Sequence, residues 1–544
     1  MSSKFTKWIS VFVTFLLIIC FLVTGCNNTK VVTPQASPGT ETTAPKKEGD
    51  NDEIIEATHG SLWISDNPLE FSMMFPDSSS YPYDKDWLIW KAIKDNTNVT
   101  LNIQAIPSSD YADKIKVVMS SGETLPDLIA NMNSMQASPF TSTGRVLPIS
   151  DYMDMLPNLQ LAIAENNLQA KIEEYSELDG KLYVLPGYKT YKGSAQQLSI
   201  RNDIFIENDI EIPETTEEFY VVLKTLKQLY PDSYPLSTSE GIGVLNNMIT
   251  WFGSTGCFPN NNGFAYNTET NEWYFEPTSD QYREMLIYVN RLMSEGLMDP
   301  EALTQDSSQY NQKAYNGQVF VTFHWWSNLG YAADETKKVT NKDAEWRHIQ
   351  PLQGPTGVRK SRADSSIMAN SGVVIPASTA QKPYFEDLLK FVDILWYSDE
   401  GSALCQWGVE GASYEMVDGE REFIPGIDLA KEFGFWATGA YLVSRRDFAF
   451  KRMPESTVEN YELSEKEGRI MKSDPNLKFT FEEKEQQSLF NTPLLDYTQQ
   501  MTYKFIYGEA NIETDWDQFV DECKQKGVDQ VKVLVDQAWE RQNK

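Results

Sequence analysis

The sequence predicts an α/β protein of two domains or more, and three observations carry the prediction. Segments of alternating apolar residues are followed by segments of helical period, the order that builds parallel sheets with right-handed crossovers. That order starts twice, near Leu69 and again near Leu198. Residues 60–544 are long enough for two domains or more.

The elements follow in order. Leu69–Phe75 is a strand, closed by Pro76-Asp77. Asp84–Asp95 carries Trp87, Leu88, Trp90, Ala92 and Ile93 and suits a helix. Val99–Ala105 alternates as a second strand, and Tyr111–Ser121 is a helix with Ile115, Val118 and Met119 on one side. A short strand ends at Ala130. A second unit of the same kind opens with Leu198–Arg201, and Thr215 with Glu218 forms a capping box ahead of Phe219, Val222, Leu223 and Leu226. A further helix starts at Thr278–Gln281 and stops at Gly296. Pro383–Ser398 is a helix whose apolar stripe includes Trp396, so that ring is expected in the core. Trp87 and Trp90 are also expected to pack inside.

Ahead of these elements stand Lys4, Lys7, the apolar run Val11–Val23 and then Val23-Thr-Gly-Cys26. This is the order of a secretory signal, residues 1–25. The apolar run is shorter than the roughly 20 residues a spanning helix needs. Cysteine after small residues resembles a bacterial lipobox, in which Cys26 becomes the diacylated first residue of the mature chain. Residues 26–59 are rich in Pro, Thr and charge and too poor in apolar residues to offset ordering, which predicts a disordered tether.

The chain carries a formal charge of −31, which disfavours nucleic acid and anionic lipid surfaces. Beyond Cys20 and Cys26 only Cys257, Cys405 and Cys523 remain, no disulfide framework, and buried free thiols are expected. The three histidines, His59, His324 and His348, form no zinc-hydrolase motif, and neither a Gly-x-Ser-x-Gly elbow nor a Walker loop is present. Adjacent acids such as Glu173-Glu174 could imitate a glycosidase pair, but among 78 acidic residues such pairs arise by chance. No catalytic residue, metal or cofactor is predicted. No Asp-x-Asp-x-Asp-Gly loop marks a calcium site.

Several short segments occur in an informative order. They are Ser121-Gly-Glu-Thr-Leu-Pro-Asp-Leu128, Gly144–Tyr152, Asp179-Gly-Lys-Leu-Tyr-Val-Leu-Pro186, Arg201-Asn-Asp203 with Pro213-Glu-Thr-Thr216, Asn316–Phe323, and Ser398-Asp-Glu-Gly401 with Gly408-Val-Glu-Gly411. Each alone is weak, and their order is specific. Together they resemble the extracellular solute-binding proteins of ABC importers, in particular the long carbohydrate-binding lipoproteins of Gram-positive bacteria akin to maltodextrin-binding proteins. The resemblance implies two discontinuous α/β lobes with a hinge and an interlobe cleft. By analogy the first lobe is residues 60–188 with 370–427, and the second is 189–369 with 428–544. It further implies a monomeric, non-catalytic receptor, held to the outer face of the membrane by lipid. The receptor would take an oligosaccharide and deliver it to ABC permease subunits. A tethered carbohydrate-active enzyme and a receptor for peptide or another solute stay open as alternatives, because fold does not set ligand.

Sugars present C–H faces to aromatic rings and hydroxyls to polar side chains, so aromatic loops beside amides and acids are the candidate contacts. Trp325 and Trp326 follow an apolar strand, where open α/β sheets bind ligands. Asn247 and Trp251 lie in a second aromatic segment, and Trp436 in a third. Asp77, Tyr81, Asn131, Asn133 and Tyr188 are the candidates from the first lobe.

Overall fold

In the computed structural model of the protein, Leu69–Asp77 is an inner strand of a four-stranded sheet. It pairs in parallel with Val99–Pro107 on one side and Leu128–Ala130 on the other, and Val373–Val374 adds an antiparallel edge. Alternation sends Phe71, Met73 and Phe75 into one cluster and Met74 into another, and all four are buried. A parallel sheet needs cover on both faces, and the helices Leu88–Thr97, Ser108–Ser120 and Phe385–Tyr397 belong to those clusters. Trp396 and Trp87 are buried as expected, and Trp90 packs beside Phe75 and Tyr83. Asp393, also buried, accepts the N–H groups of Asn158 at 3.1 Å and Leu159 at 2.9 Å. It thereby satisfies the open amino end of the helix Pro157–Glu165 from a neighbouring helix.

The structure describes residues 60–543 apart from 79–80, 122–123, 259–262, 363–371 and 435–441. The chain divides into Met1–Thr58 and the unit His59–Lys544, so the signal, Cys26 and nearly all of the tether fall in the first unit, outside the described residues. No helix among the described residues is long and apolar enough to cross a membrane. Cys257, Cys405 and Cys523 are free and buried, as expected.

A second core surrounds a different sheet, in which Gln196–Arg201 lies between Val321–Trp325 and Trp346–His348. Both pairings are antiparallel, which corrects the expectation of a second parallel unit. The strand Gln196–Arg201 enters from the crossing and therefore runs against its neighbours. Parallel contacts here are single bridges, such as Leu236 with Val321 and with Met298 and Thr215 with Gln353. Above this sheet the helix Thr216–Leu229 starts at the predicted capping box, with Thr215 and Glu218 satisfying each other's backbone N–H groups. The carboxyl-terminal helices Phe481–Tyr507, Trp516–Gln525 and Val528–Gln542 complete this core through Leu494, Phe505, Phe519, Val531 and Val535.

The chain passes between the two cores where Tyr188–Lys189 pairs with Val443–Ser444. Tyr188 donates its N–H to Leu442 O at 2.8 Å, and Thr190 to Ser444 O at 3.0 Å. Phe433, Leu442, Val443 and Phe448 all pack in the first core. That lobe thus holds the chain beyond residue 428, where the sequence placed the return, because these four apolar side chains need its interior.

Candidate functional site

The strand Val321–Trp325 is buried until its last residue. There the indole of Trp325 emerges 47% exposed, directly opposite Gln196 in the sheet register. Its neighbour Trp326 donates its N–H to Ala195 O at 3.0 Å and is half-buried. The Trp326 ring packs on the cluster of Tyr191, Ala449, Met453 and Tyr461, with the Arg452 guanidinium 5.6 Å from its centroid. The two tryptophans are therefore different objects: Trp325 offers a face to solvent, and Trp326 is held against the crossing.

Polar groups gather beside Trp325. Asn247 is buried and donates Nδ2–H to Gln196 Oε1 at 3.0 Å. The other Gln196 group, Nε2, is buried on the side of Glu240. Burial raises the Glu240 carboxyl, against the pull of neighbouring Gln196 and Arg362. Burial lowers Arg362, against the nearby Glu276 and Glu240 carboxylates. Beside the Trp325 indole the sheet register thus places Gln196, whose side chain links on to Asn247 and Glu240, and Glu240 in turn lies near Arg362. Gln196, Glu240 and Arg362 escaped the sequence reading because they meet only through strand pairing and loops far apart in the chain.

Four of the first-lobe candidates, Asp77, Tyr81, Asn131 and Asn133, lie at or just past the carboxyl ends of the parallel strands, while Tyr188 opens the short strand at the crossing. Asp77 Oδ1 accepts Tyr83 N–H at 2.7 Å, and its carbonyl accepts Ser108 Oγ at 2.7 Å, so it shapes the loop after its strand. Tyr81 is 39% exposed in that loop. Asn131 adopts a φ of +51°, a left-handed conformation that Asn tolerates. Asn133 caps the helix Ser134–Thr141, its side-chain oxygen accepting Gln136 N–H at 2.9 Å. Tyr188 is buried in the first core, and burial pushes its phenol up to about 12.

Trp251 corrects the sequence expectation. It is 2% exposed, stacked on Phe323 with centroids 5.9 Å apart and edge-on to Phe219. With both faces packed in the second core it has no surface for a ligand. Trp436 lies outside the described residues.

The two histidines of this lobe are part of its interior. His324 and His348 are buried; burial, helped for His324 by His348, holds them down at about 3 and about 4. His324 Nε2 meets Tyr310 OH at 2.9 Å, and His348 Nδ1 meets Thr457 Oγ1 at 2.9 Å. Among the described residues no group of three or more His, Cys, Asp or Glu side chains could hold a metal ion.

The model of the bacterial extracellular solute-binding proteins matches residues 82–394, and the chain belongs to this family. Lipoprotein LipO of Bacillus subtilis is 26% identical over 64% of this chain and 67% of its own length. The polygalacturonan/rhamnogalacturonan-binding protein YtcQ of the same organism is 22% identical over 83% of this chain and 88% of its own. Among solved structures, the S. pneumoniae ABC-transporter substrate-binding protein FusA in complex with kestose matches at a TM-score of 0.67 and 20% identity. That match covers 87% of this chain and 99% of that one. At this identity the likeness shows the fold, two α/β lobes.

Proposed function

We propose that this family member is a receptor for an oligosaccharide, held outside the cell by lipid on Cys26 and serving an ABC importer. The observation that carries the reading is the exposed indole of Trp325 directly opposite Gln196, whose side chain joins Asn247 and Glu240 in a polar chain. An indole face beside such a chain of amides and a carboxyl suits the C–H face and the hydroxyls of a sugar. YtcQ and FusA, whose names give carbohydrate ligands, support the class. The likeness to LipO and the Val23-Thr-Gly-Cys26 sequence support the anchor. The partners under this reading are the sugar and the permease subunits, with the chain acting as a monomer whose cleft closes on its ligand. Asp77, Tyr81 and Asn131 would face the sugar from the first lobe.

Calorimetry with a panel of fructo- and pectic oligosaccharides, followed by chromatography of the recovered sugar, tests the reading. Saturable binding with the sugar recovered intact is expected. Product formation would favour an enzyme, and binding of peptides alone would favour a different solute.

A further inference from the structure

One segment ties the two lobes together from outside the candidate site. Residues 473–484 run along the second lobe and are anchored there at several points. Asp474 accepts Thr255 Oγ1–H at 2.8 Å and Tyr266 N–H at 3.2 Å. Gln542 holds the backbone of Asn476 and Lys478, each at 2.8 Å, and Arg541 pairs with Glu483 at 2.7 Å. Leu477 and Phe479 pack on the second core.

The opposite side of the same segment reaches the first lobe through polar contacts. Asn476 donates N–H to Glu174 Oε1 at 2.8 Å and Nδ2–H to Glu174 O at 3.3 Å. Lys478 Nζ reaches Glu173 O at 2.6 Å. Both carbonyls belong to the last turn of the helix Gln169–Tyr175, where the helix dipole favours a cation. Lys171 Nζ, paired with Glu174, touches Ser473 Oγ at 3.3 Å. Lys484 Nζ donates to Ser138 Oγ at 2.8 Å, and Ser138 donates on to Glu177 at 3.1 Å. The apolar side chains of the segment, Leu477 and Phe479, belong to the second core and not the first.

We infer that residues 473–484 form a releasable latch, which holds the lobes together in this arrangement and lets go of the helix Gln169–Tyr175 when the cleft opens. The asymmetry points to this. Apolar packing and buried carboxylates fix the strap to one lobe, while water can replace the polar contacts to the other at small net cost. The inference rests on the receptor reading for its consequence: a group that stabilises the closed form raises ligand affinity without touching ligand.

The test uses Lys478→Ala with Lys484→Ala. These remove side-chain contacts to the first lobe and leave the anchors to the second, which use the Lys478 backbone. Glu174→Ala removes from the other side the carboxylate that accepts Asn476 N–H and pairs with Lys171. Spin labels at Leu161→Cys and Val221→Cys, both exposed and one on each lobe, report the interlobe distance without ligand. Either variant is expected to raise the population at long distance at least threefold over the parent, with the melting temperature of the folded chain unchanged. An unchanged distance distribution in both variants overturns the latch. Because this readout needs no sugar, its failure is distinct from failure of the receptor reading. Where a sugar binds, the same variants are expected to weaken it three- to tenfold, and unaltered affinity also counts against the latch.

Discussion

Replacing His348 with glutamine should flatten the acid side of the stability profile. His324 and His348 lie together in the second lobe, with His348 Nε2 at 3.1 Å from His324 O and His348 Nδ1 on Thr457. Burial holds both neutral, at about 3 and about 4 in the folded chain. An unfolded histidine titrates near 6.5. Because the folded values are depressed, the full stability is present above about pH 6.5. It falls as the unfolded chain takes up protons that the folded chain refuses, and it levels off below about pH 3 to 4. At pH 5 the unfolded rings are about 1.5 units below their midpoint, and each unit is about 1.4 kcal/mol. Each ring therefore removes about 2 kcal/mol of stability between pH 7 and pH 5. Asp474 acts in the other direction, since burial raises its carboxyl to about 6 and acid relieves that cost. Comparing variant with parent at both pH values cancels its contribution. His348→Gln should be less stable than the parent at pH 7, because a fitted ring with two partners is lost. The gap should shrink by about 2 kcal/mol at pH 5. Denaturant unfolding at the two pH values measures it, and histidine proton resonances that stay still from pH 7.5 to 5 would report the depressed titration directly. An identical gap at both pH values, or midpoints near 6.5 for both buried rings, would refute the reasoning.

Trp325→Ala should weaken binding of the cognate sugar at least about tenfold, which is about 1.4 kcal/mol, with little change in melting temperature because the ring is already half in water. Trp251→Ala should do the reverse in the first instance, costing about 3 to 5 kcal/mol of stability through the cavity left between Phe219 and Phe323. Calorimetry and thermal melts on the two variants separate these roles, and a stable Trp251→Ala protein would contradict its core assignment. Cys26→Ala should release the protein into the medium, since the lipid on that residue is its proposed hold on the membrane. Fractionation of cells checks this, and unchanged retention would remove the anchor.

The sequence by itself determined the parts governed by local period and capping. The strands from Leu69 and Val99, the Thr215–Glu218 box and the buried stripe of Phe385–Tyr397 appear where their patterns place them, although the first strand pairs on through Pro76-Asp77 and the next helix starts at Leu88 and not at Asp84. Two α/β lobes were legible for the same reason, reinforced by the order of short motifs. Tertiary structure decided what depends on partners distant in the chain. The second sheet is antiparallel because the strand from Gln196 arrives from the crossing, a direction no local pattern records. The first lobe keeps Phe433, Leu442, Val443 and Phe448 because these apolar side chains pack in its interior. Among the tryptophans, sequence supplied equal chemistry at Trp251, Trp325 and Trp326. Whether a ring faces water is set by the residues that cover it: Phe219 and Phe323 for the first, the Tyr191 cluster for the last, while the face of Trp325 stays half in solvent.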